Sequence, residues 1–292
     1  MVDPATTNVD QLPSDDRKAG IGVVATHAAI FLALMGLWEL AARGGLLDPL
    51  FFPLPSDIVV SFYRLYITQA NIWWHLGMTM TEVAVGFVAG SALGIGLALV
   101  VGMFDRVRRY LKPYIIILEA TPRIAIGPIV IAAFGFGWTS KTVIVMLVCF
   151  FAPFVNTLNG MASVDDEELA MMRSMRASRW QTFTKLMLPD ALPEIMAGLR
   201  LAMASALGGA LVAEFISANE GIGVLLAQYT GTLNMASAFV CVFTLTGLGY
   251  LIFRSMEALD RYIVFWTDRD RTEVMGRVRA AKWKGLVKEA YA

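Results

Sequence analysis

Long apolar runs alternate with short charged segments along this chain, and the length of those runs sets its class. Charge-free stretches cover Val83–Phe104, Ile124–Ser140, Thr142–Val164 and Gly221–Phe253. An apolar run of about 18 residues is long enough to cross the hydrocarbon core of a bilayer as a helix. The pattern predicts an all-α membrane protein with six transmembrane helices, at about 22–42, 80–104, 111–135, 139–160, 191–216 and 235–256. Three segments follow: a polar tail at 1–20, a membrane domain at 21–266 and a basic tail at 267–292.

Composition agrees with that reading. The 292 residues are 57% hydrophobic and 16% charged, with a mean hydropathy of +0.61. A soluble globular chain carries about 45–50% apolar and about 25% charged residues. Net charge is zero, so nucleic acid is not implied as a partner. Cys149 and Cys241 both lie within apolar runs and read as small buried residues, neither a disulfide pair nor a metal site. The first 20 residues are polar and acidic, without the basic start and short apolar core of a cleaved signal.

Lys and Arg orient the spans. With both termini cytoplasmic, the inner segments carry nineteen cations, and the outer segments carry three, Arg43, Arg64 and Lys141. The outer segment 44–79 contains Pro53 and Pro55. Ser56 is read as the cap of a short interfacial helix carrying Phe62, Tyr63, Tyr66 and then Trp73 and Trp74. Gly86, Gly90 and Gly94 recur every four residues in the second span, with Gly96 beside them, which predicts close helix packing. Pro122 and Pro128 interrupt the third span. A broken helix at membrane depth survives only where protein buries it or it lines a cavity, so 119–137 is a candidate pathway wall.

The loop at 161–190 is too patterned for a bare connector. Ser163 is read as a helix cap with acids 165–168 at the positive end of the helix dipole, and Leu169, Met172 and Met175 form an apolar stripe. Ser178-Arg-Trp-Gln181 is a second capping box, its stripe is Trp180, Phe183 and Met187, and the helix is expected to stop at Leu188-Pro189. Arg173, Arg176 and Arg179 lie between the apolar sides. Two amphipathic helices of this kind suit either docking into a partner's groove or resting on the bilayer or the protein's own base.

The loop resembles the cytoplasmic signature of ABC importer permeases: Glu-Ala-Ala, three residues, Gly, nine residues, Ile, one residue, Leu-Pro. Its register here is Ala170-Met171-Met172, Arg173 to Met175, Arg176, nine residues, Leu186, Met187, Leu188-Pro189. Ala177-Ser178-Arg179-Trp180-Gln181, Leu54-Pro55-Ser56-Asp57, Thr121-Pro122-Arg123-Ile124-Ala125, Gly198-Leu-Arg200-Leu-Ala202, Ala213-Glu214-Phe215 and Gly221-Ile-Gly223 resemble the nitrate/sulfonate/taurine branch. The similarity covers about 30–266. It departs from the signature at Ala170, which replaces the Glu, at Met171 and Met172, which replace the two small residues, and at Arg176, which replaces the Gly that lets the chain turn between the two short helices. A non-glycine there adopts a left-handed conformation at a cost on the order of 1 kcal/mol, or the turn is built differently.

The resemblance implies an importer-permease (MetI-like) architecture in the bacterial inner membrane, with the chain acting as a transport subunit and not as an enzyme. It implies no cofactor in this chain, with ATP and Mg held by a partner ATPase. It also implies two ABC ATPase subunits docked under 161–190, a second permease copy or paralogue, an extracytoplasmic solute-binding protein and surrounding membrane lipid. The implied solute is a small anion such as a sulfonate, taurine or nitrate. The other class is a secondary transporter or channel working without an ATPase. That class would show inverted repeats and paired membrane acids, and the sequence displays neither.

Several other residues are candidates. Gly135 to Thr142 nearly matches a phosphate-binding loop, but Ser140 replaces its second glycine and no strand precedes it. Intramembrane charges are functional candidates. Arg123, between Pro122 and Pro128, reads either as a solute contact or as a structural partner of Glu119 or Glu82, and Arg200 lies a third of the way along the fifth span. Glu214, before Gly221-Ile-Gly223, reads as a solvated cap or as part of an outer gate or receptor contact. His27 and His75 read as packing or interfacial residues. The tail carries Arg277, Arg279, Lys282, Lys284 and Lys288 around Val278, Trp283, Leu286 and Val287, a basic amphipathic pattern suited to an anionic leaflet.

Overall fold

A computed structural model describes residues 16–216 and 219–264. The basic tail expected at 267–292 lies outside the described residues. The described chain is helical throughout: α1 (Asp16–Arg43), α2 (Pro55–Tyr63), α3 (Ile72–Gly102), α4 (Asp105–Ala120), α5 (Gly127–Phe134), α6 (Trp138–Ala162), α7 (Asp166–Ser174), α8 (Arg179–Thr182), α9 (Leu188–Ile216), α10 (Ile222–Gly231) and α11 (Met235–Ile263). Among the described residues, four helices are long and apolar enough to cross a membrane: Ile72–Gly102, Trp138–Ala162, Arg179–Ile216 and Met235–Ile263.

α3, α6 and α9 form the centre, and small residues set their spacing. A Cβ added at Gly90 or Gly94 would run into the carbonyl oxygen of Met146 or Phe150 on α6, and one at Gly86 would lie 2.6 Å from Val145 Cβ. On the other side of α6, a Cβ at Gly198 of α9 would stand 2.9 Å from the Ala152 carbonyl oxygen and Pro153 Cα. Ala202, Ala206, Ala210 and Ala213 of α9 are fully buried. Where lipid offers no hydrophobic drive, such close backbone approach lets dispersion hold helices together. Cys149 and Cys241 are buried free thiols, as their apolar surroundings predict.

The third predicted span is broken at the expected place. α4 ends at Ala120, a short 3₁₀ turn follows over Arg123–Ile126, and α5 adds only eight residues. Gly135 and Gly137, at φ +79° and +141°, then turn the chain into α6. This stretch has no preceding strand, so the phosphate-loop likeness ends there.

Three boundary expectations are corrected. α3 begins at Ile72, so Trp73 and Trp74 belong to its first turn and not to the preceding helix. α2 starts at Pro55 behind Leu54, and Ser56 does not cap it: the Ser56 amide and hydroxyl both donate to Glu39 of α1, at 3.1 and 3.0 Å. The helix does not stop at Leu188-Pro189. A π-turn over Phe183–Met187 widens the backbone just ahead of Pro189, and α9 continues from Leu188. A proline ring clashes with the carbonyl four residues earlier in a regular helix, and the wide turn relieves that clash.

Candidate functional site

Two constellations stand out, one at each end of α6 and α9. The first is the segment joining them, residues 163–187. Ser163 does not cap α7. Its hydroxyl donates to the Gly160 carbonyl at 2.8 Å and closes α6, while Asp165 caps α7 by accepting the Glu167 amide at 3.0 Å. Two oxygen-bearing side chains two residues apart compete for the role, and the one whose backbone is already extended (Asp165, ψ 139°) takes it. Asp166, Glu167 and Glu168 lie in the first turn, at the positive end of the dipole.

α7 ends in a Schellman turn. The Ala177 amide donates to the Met172 carbonyl at 3.0 Å and the Arg176 amide to the Arg173 carbonyl at 2.9 Å. Arg176 occupies the left-handed position at φ +52°. The family's turn is therefore built, with an arginine where its glycine would be. Ser178 then opens α8 with the full capping box: its hydroxyl accepts the Gln181 amide at 3.2 Å, and the Gln181 side chain accepts the Ser178 amide at 2.8 Å.

The two apolar stripes divide by burial. Phe183 is buried against Met161, Ala191 and Ile195, and Met187 and Leu188 pack on the same cluster. Leu169, Met172, Ala177 and Leu186 are half-buried. Met171, Met175 and Trp180 are exposed at 56%, 71% and 63%, and the Trp180 ring leans on Phe183 with centroids 5.5 Å apart. Ala170, Arg173, Arg176, Arg179 and Pro189 are exposed as well. The loop thus presents an apolar surface studded with guanidinium groups, on a base fixed into α6 and α9.

The second constellation lies at the opposite end of the bundle. Lys141, in the first turn of α6, is 2% exposed and pairs with the fully buried Glu82 of α3 at 2.5 Å. Its ammonium also donates to the Glu220 carbonyl at 2.7 Å. Glu214 of α9 is fully buried too. It accepts the Thr79 hydroxyl at 2.6 Å and the Gly223 amide at 2.5 Å. The Thr79 hydroxyl accepts the Ile222 amide at 2.9 Å, and His75 Nδ1 accepts the Gly221 amide at 3.0 Å. The three N–H groups at the start of α10 are therefore all satisfied, by side chains of α3 and α9. Gly221, at φ +129°, and Gly223 are the only residue type that fits: a Cβ at either would collide with the Glu214 carboxylate.

This cluster overturns the sequence expectations for Glu214, Lys141 and the membrane acids. Glu214 is no solvated cap, and Lys141 is no loop cation. His75, read as a packing or interfacial residue, also accepts a backbone hydrogen bond. Two membrane acids do come together, but one is held in an ion pair and the other caps a helix. Glu82, one of the two partners read for Arg123, is paired with Lys141. An acid and a base, each set in an apolar helix at the same end of the bundle, are a pairing signal in the sequence.

The remaining pathway candidates lie apart. Arg200 of α9 pairs with Asp260 of α11 at 2.6 Å and is half-exposed. Pro122 and Arg123 occupy the break after α4, and Pro128 sits in the first turn of α5. Among the described residues, no group of His, Cys, Asp and Glu side chains has the arrangement of a metal site.

Known proteins share this architecture. A family model described as "binding-protein-dependent transport system inner membrane component" matches residues 90–264. The formylaminopyrimidine transport permease protein ThiX of Halalkalibacterium halodurans is 31% identical over 236 residues, covering 81% of this chain and 93% of that one. A putative aliphatic sulfonates transport permease protein of Bacillus subtilis is 29% identical, covering 80% and 84%. The taurine transport system permease protein of Escherichia coli is 28% identical, covering 80% and 86%. In fold, the chain matches an inward-facing MetNI methionine ABC transporter with a TM-score of 0.53 at 20% identity, over 68% of this chain and 97% of that one.

Proposed function

Since this chain belongs to the binding-protein-dependent transport inner-membrane-component family, and so is the permease subunit of an ABC importer, we propose that it passes a small organic or inorganic anion, of the sulfonate, taurine or nitrate class. The sulfonate and taurine relatives support that solute class. The family works with a separate ATPase and a solute-binding protein. We assign two ATPase subunits, carrying ATP and Mg, to the cytoplasmic side, a second permease copy or paralogue to the pathway, and the whole to the bacterial inner membrane. In this reading the membrane domain has six spans, with α1 and the broken α4–α5 pair joining the four long helices, and both termini are cytoplasmic.

The observation that carries the coupling role is the 163–187 segment, which exposes Met171, Met175 and Trp180 and seats the Trp180 ring against buried Phe183. The ATPase grips that surface, and Leu169, Ala170, Met172, Arg173, Arg176, Ala177, Ser178, Leu186, Leu188 and Pro189 form or support it. Pro122, Arg123 and Pro128 border the pathway, while Arg200 ties the middle of α9 to α11 and Glu214 fixes its far end beside it. ATP-driven closure of the ATPases then moves the loop and, with it, α6 and α9 as one body. The test is Met175→Asp in the co-expressed complex. It places a charge in the grip, so the ATPase should no longer co-purify while the permease still folds. Retention of the ATPase at the parental level refutes the assignment.

The 31% identity to a formylaminopyrimidine permease supports a second reading of the solute, a heteroaromatic amine. Uptake by proteoliposomes holding the complete importer, compared between taurine, an aliphatic sulfonate, nitrate and an aminopyrimidine, separates the two.

A further inference from the structure

We propose that Arg176 is held at the tip of the loop to meet a carboxylate of the ATPase, so that the groove receiving this loop is apolar with an acidic rim. This rests on the loop's assignment as the docking element. Three observations carry it. Arg176 keeps a left-handed backbone that glycine would adopt freely, and the Schellman turn around it is fully bonded. Its guanidinium is exposed and makes no ion pair or hydrogen bond among the described residues, and the same holds for Arg173 and Arg179 on either side. The stretch 169–180 contains these three cations and no acid, because the acids of the loop are confined to 165–168.

Backbone strain alone assigns nothing here, since Ala70 and Leu233 hold the same conformation at other helix ends. Arg176 differs in its charge and its setting. It stands centrally among three unpaired guanidiniums, next to exposed Met171, Met175 and Trp180. A partner that covers those apolar side chains removes water from the arginine between them. A desolvated guanidinium without a counter-charge is costly, and a fixed carboxylate in the partner turns that cost into a directional, charge-assisted bond. Arginine's planar fork suits this role better than a lysine's point charge.

The experiment measures the affinity of the purified full-length permease for its ATPase at low and high salt, together with the permease's own melting temperature. Arg176→Gly should weaken binding on the order of tenfold or more at low salt, with a smaller difference at high salt. Its melting temperature should be equal to or above that of the parent, which excludes loss of fold as the cause. Arg176→Glu should bind more weakly still, through like-charge repulsion, and Arg176→Lys should retain part of the affinity. Arg176→Gly binding within about threefold of the parent, or Arg176→Glu binding no worse than Arg176→Gly, overturns the proposal. Met175→Asp tells the two levels apart. If it releases the ATPase while Arg176→Gly does not, the loop docks without the acid. If it too leaves the ATPase bound, the docking assignment itself is wrong.

Discussion

Lys141 offers the sharpest test of how the bundle is held together. Its ammonium is 2% exposed, meets Glu82 at 2.5 Å and donates to the Glu220 carbonyl at 2.7 Å. Methionine has nearly the same reach without the charge. Lys141→Met therefore leaves the shape in place, strands the Glu82 carboxylate in a fully buried site and frees a backbone carbonyl. Removing one partner of a buried ion pair costs about 3–5 kcal/mol. The carbonyl's lost charge-assisted bond, about 1.5–3 kcal/mol taken alone, overlaps with that figure because the same ammonium makes both contacts. Glu82→Gln is milder, since it leaves the ammonium its Glu220 bond and the nearby Glu214 carboxylate, with which Lys141 also interacts. The double variant Glu82→Gln/Lys141→Met contains no unpaired charge in this pair and should recover most of the loss.

The measurement is a double-mutant cycle, from reversible unfolding of the purified chain in mixed micelles. The signature is strong non-additivity: a coupling of at least about 2 kcal/mol between Glu82 and Lys141, against the additivity within about 0.5 kcal/mol expected of independent sites. A Lys141→Met chain as stable as the parent would show that the pair contributes nothing. Additive single effects would show that the two groups act separately.

Two further outcomes follow from contacts in α3. Gly90→Ala should destabilise the chain by about 1–3 kcal/mol, because its Cβ meets the Met146 carbonyl of a neighbouring backbone, whereas Gly96→Ala, with open space around it, should be neutral or favourable by up to about 1 kcal/mol; thermal unfolding of both variants checks the opposite signs. Thr79→Val removes a hydroxyl that donates to Glu214 and accepts from Ile222, so amide exchange at Ile222 and Gly223 should rise by about ten- to hundredfold while exchange in α9 stays unchanged.

Much of this was legible along the chain because it depends on local repetition. The four-residue glycine spacing predicts close packing of α3, though not that α6 is the partner, and the Ser178–Gln181 box predicts the start of α8. Pro122 and Pro128 located the broken helix. The departures at Ala170 and Arg176 mark the loop as unusual, and the family's turn glycine leaves two outcomes for Arg176, of which the structure takes the left-handed one. What failed depends on contacts between distant positions. Lys141 was counted as an outer cation because it follows a turn, yet its burial is decided by Glu82, on a helix that only packing brings near. Glu214 was read as solvated because it ends a helix. The α10 amides that claim it belong to a segment whose approach no local pattern encodes. Ser163 reads as the cap of α7 from its spacing to the acids, but its hydroxyl closes the end of α6 and leaves the capping to Asp165.

The two constellations share their supports, and this gives the arrangement its mechanical sense. Lys141 lies in the first turn of α6 and Ser163 directly follows its last residue; α9 begins just beyond Met187 and carries Glu214 in its last turn. The loop therefore joins the same two helices at one end of the bundle that the buried charges tie, through α3 and the α10 turn, at the other. Between those ends, Gly198 and the alanines of α9 hold it against α6 at backbone distance. Two long helices fastened at both ends and packed without slack cannot slide past one another. A displacement imposed at the loop must rotate or translate the pair together, because packed interiors are stiff. Beyond the break at Thr121–Pro122, α5 packs Val130 and Ile131 against Ile144 of α6 and Ala213 of α9, so it rides on the same pair. The route of a displacement through the fold is thus set by where the chain places its buried charges and its prolines.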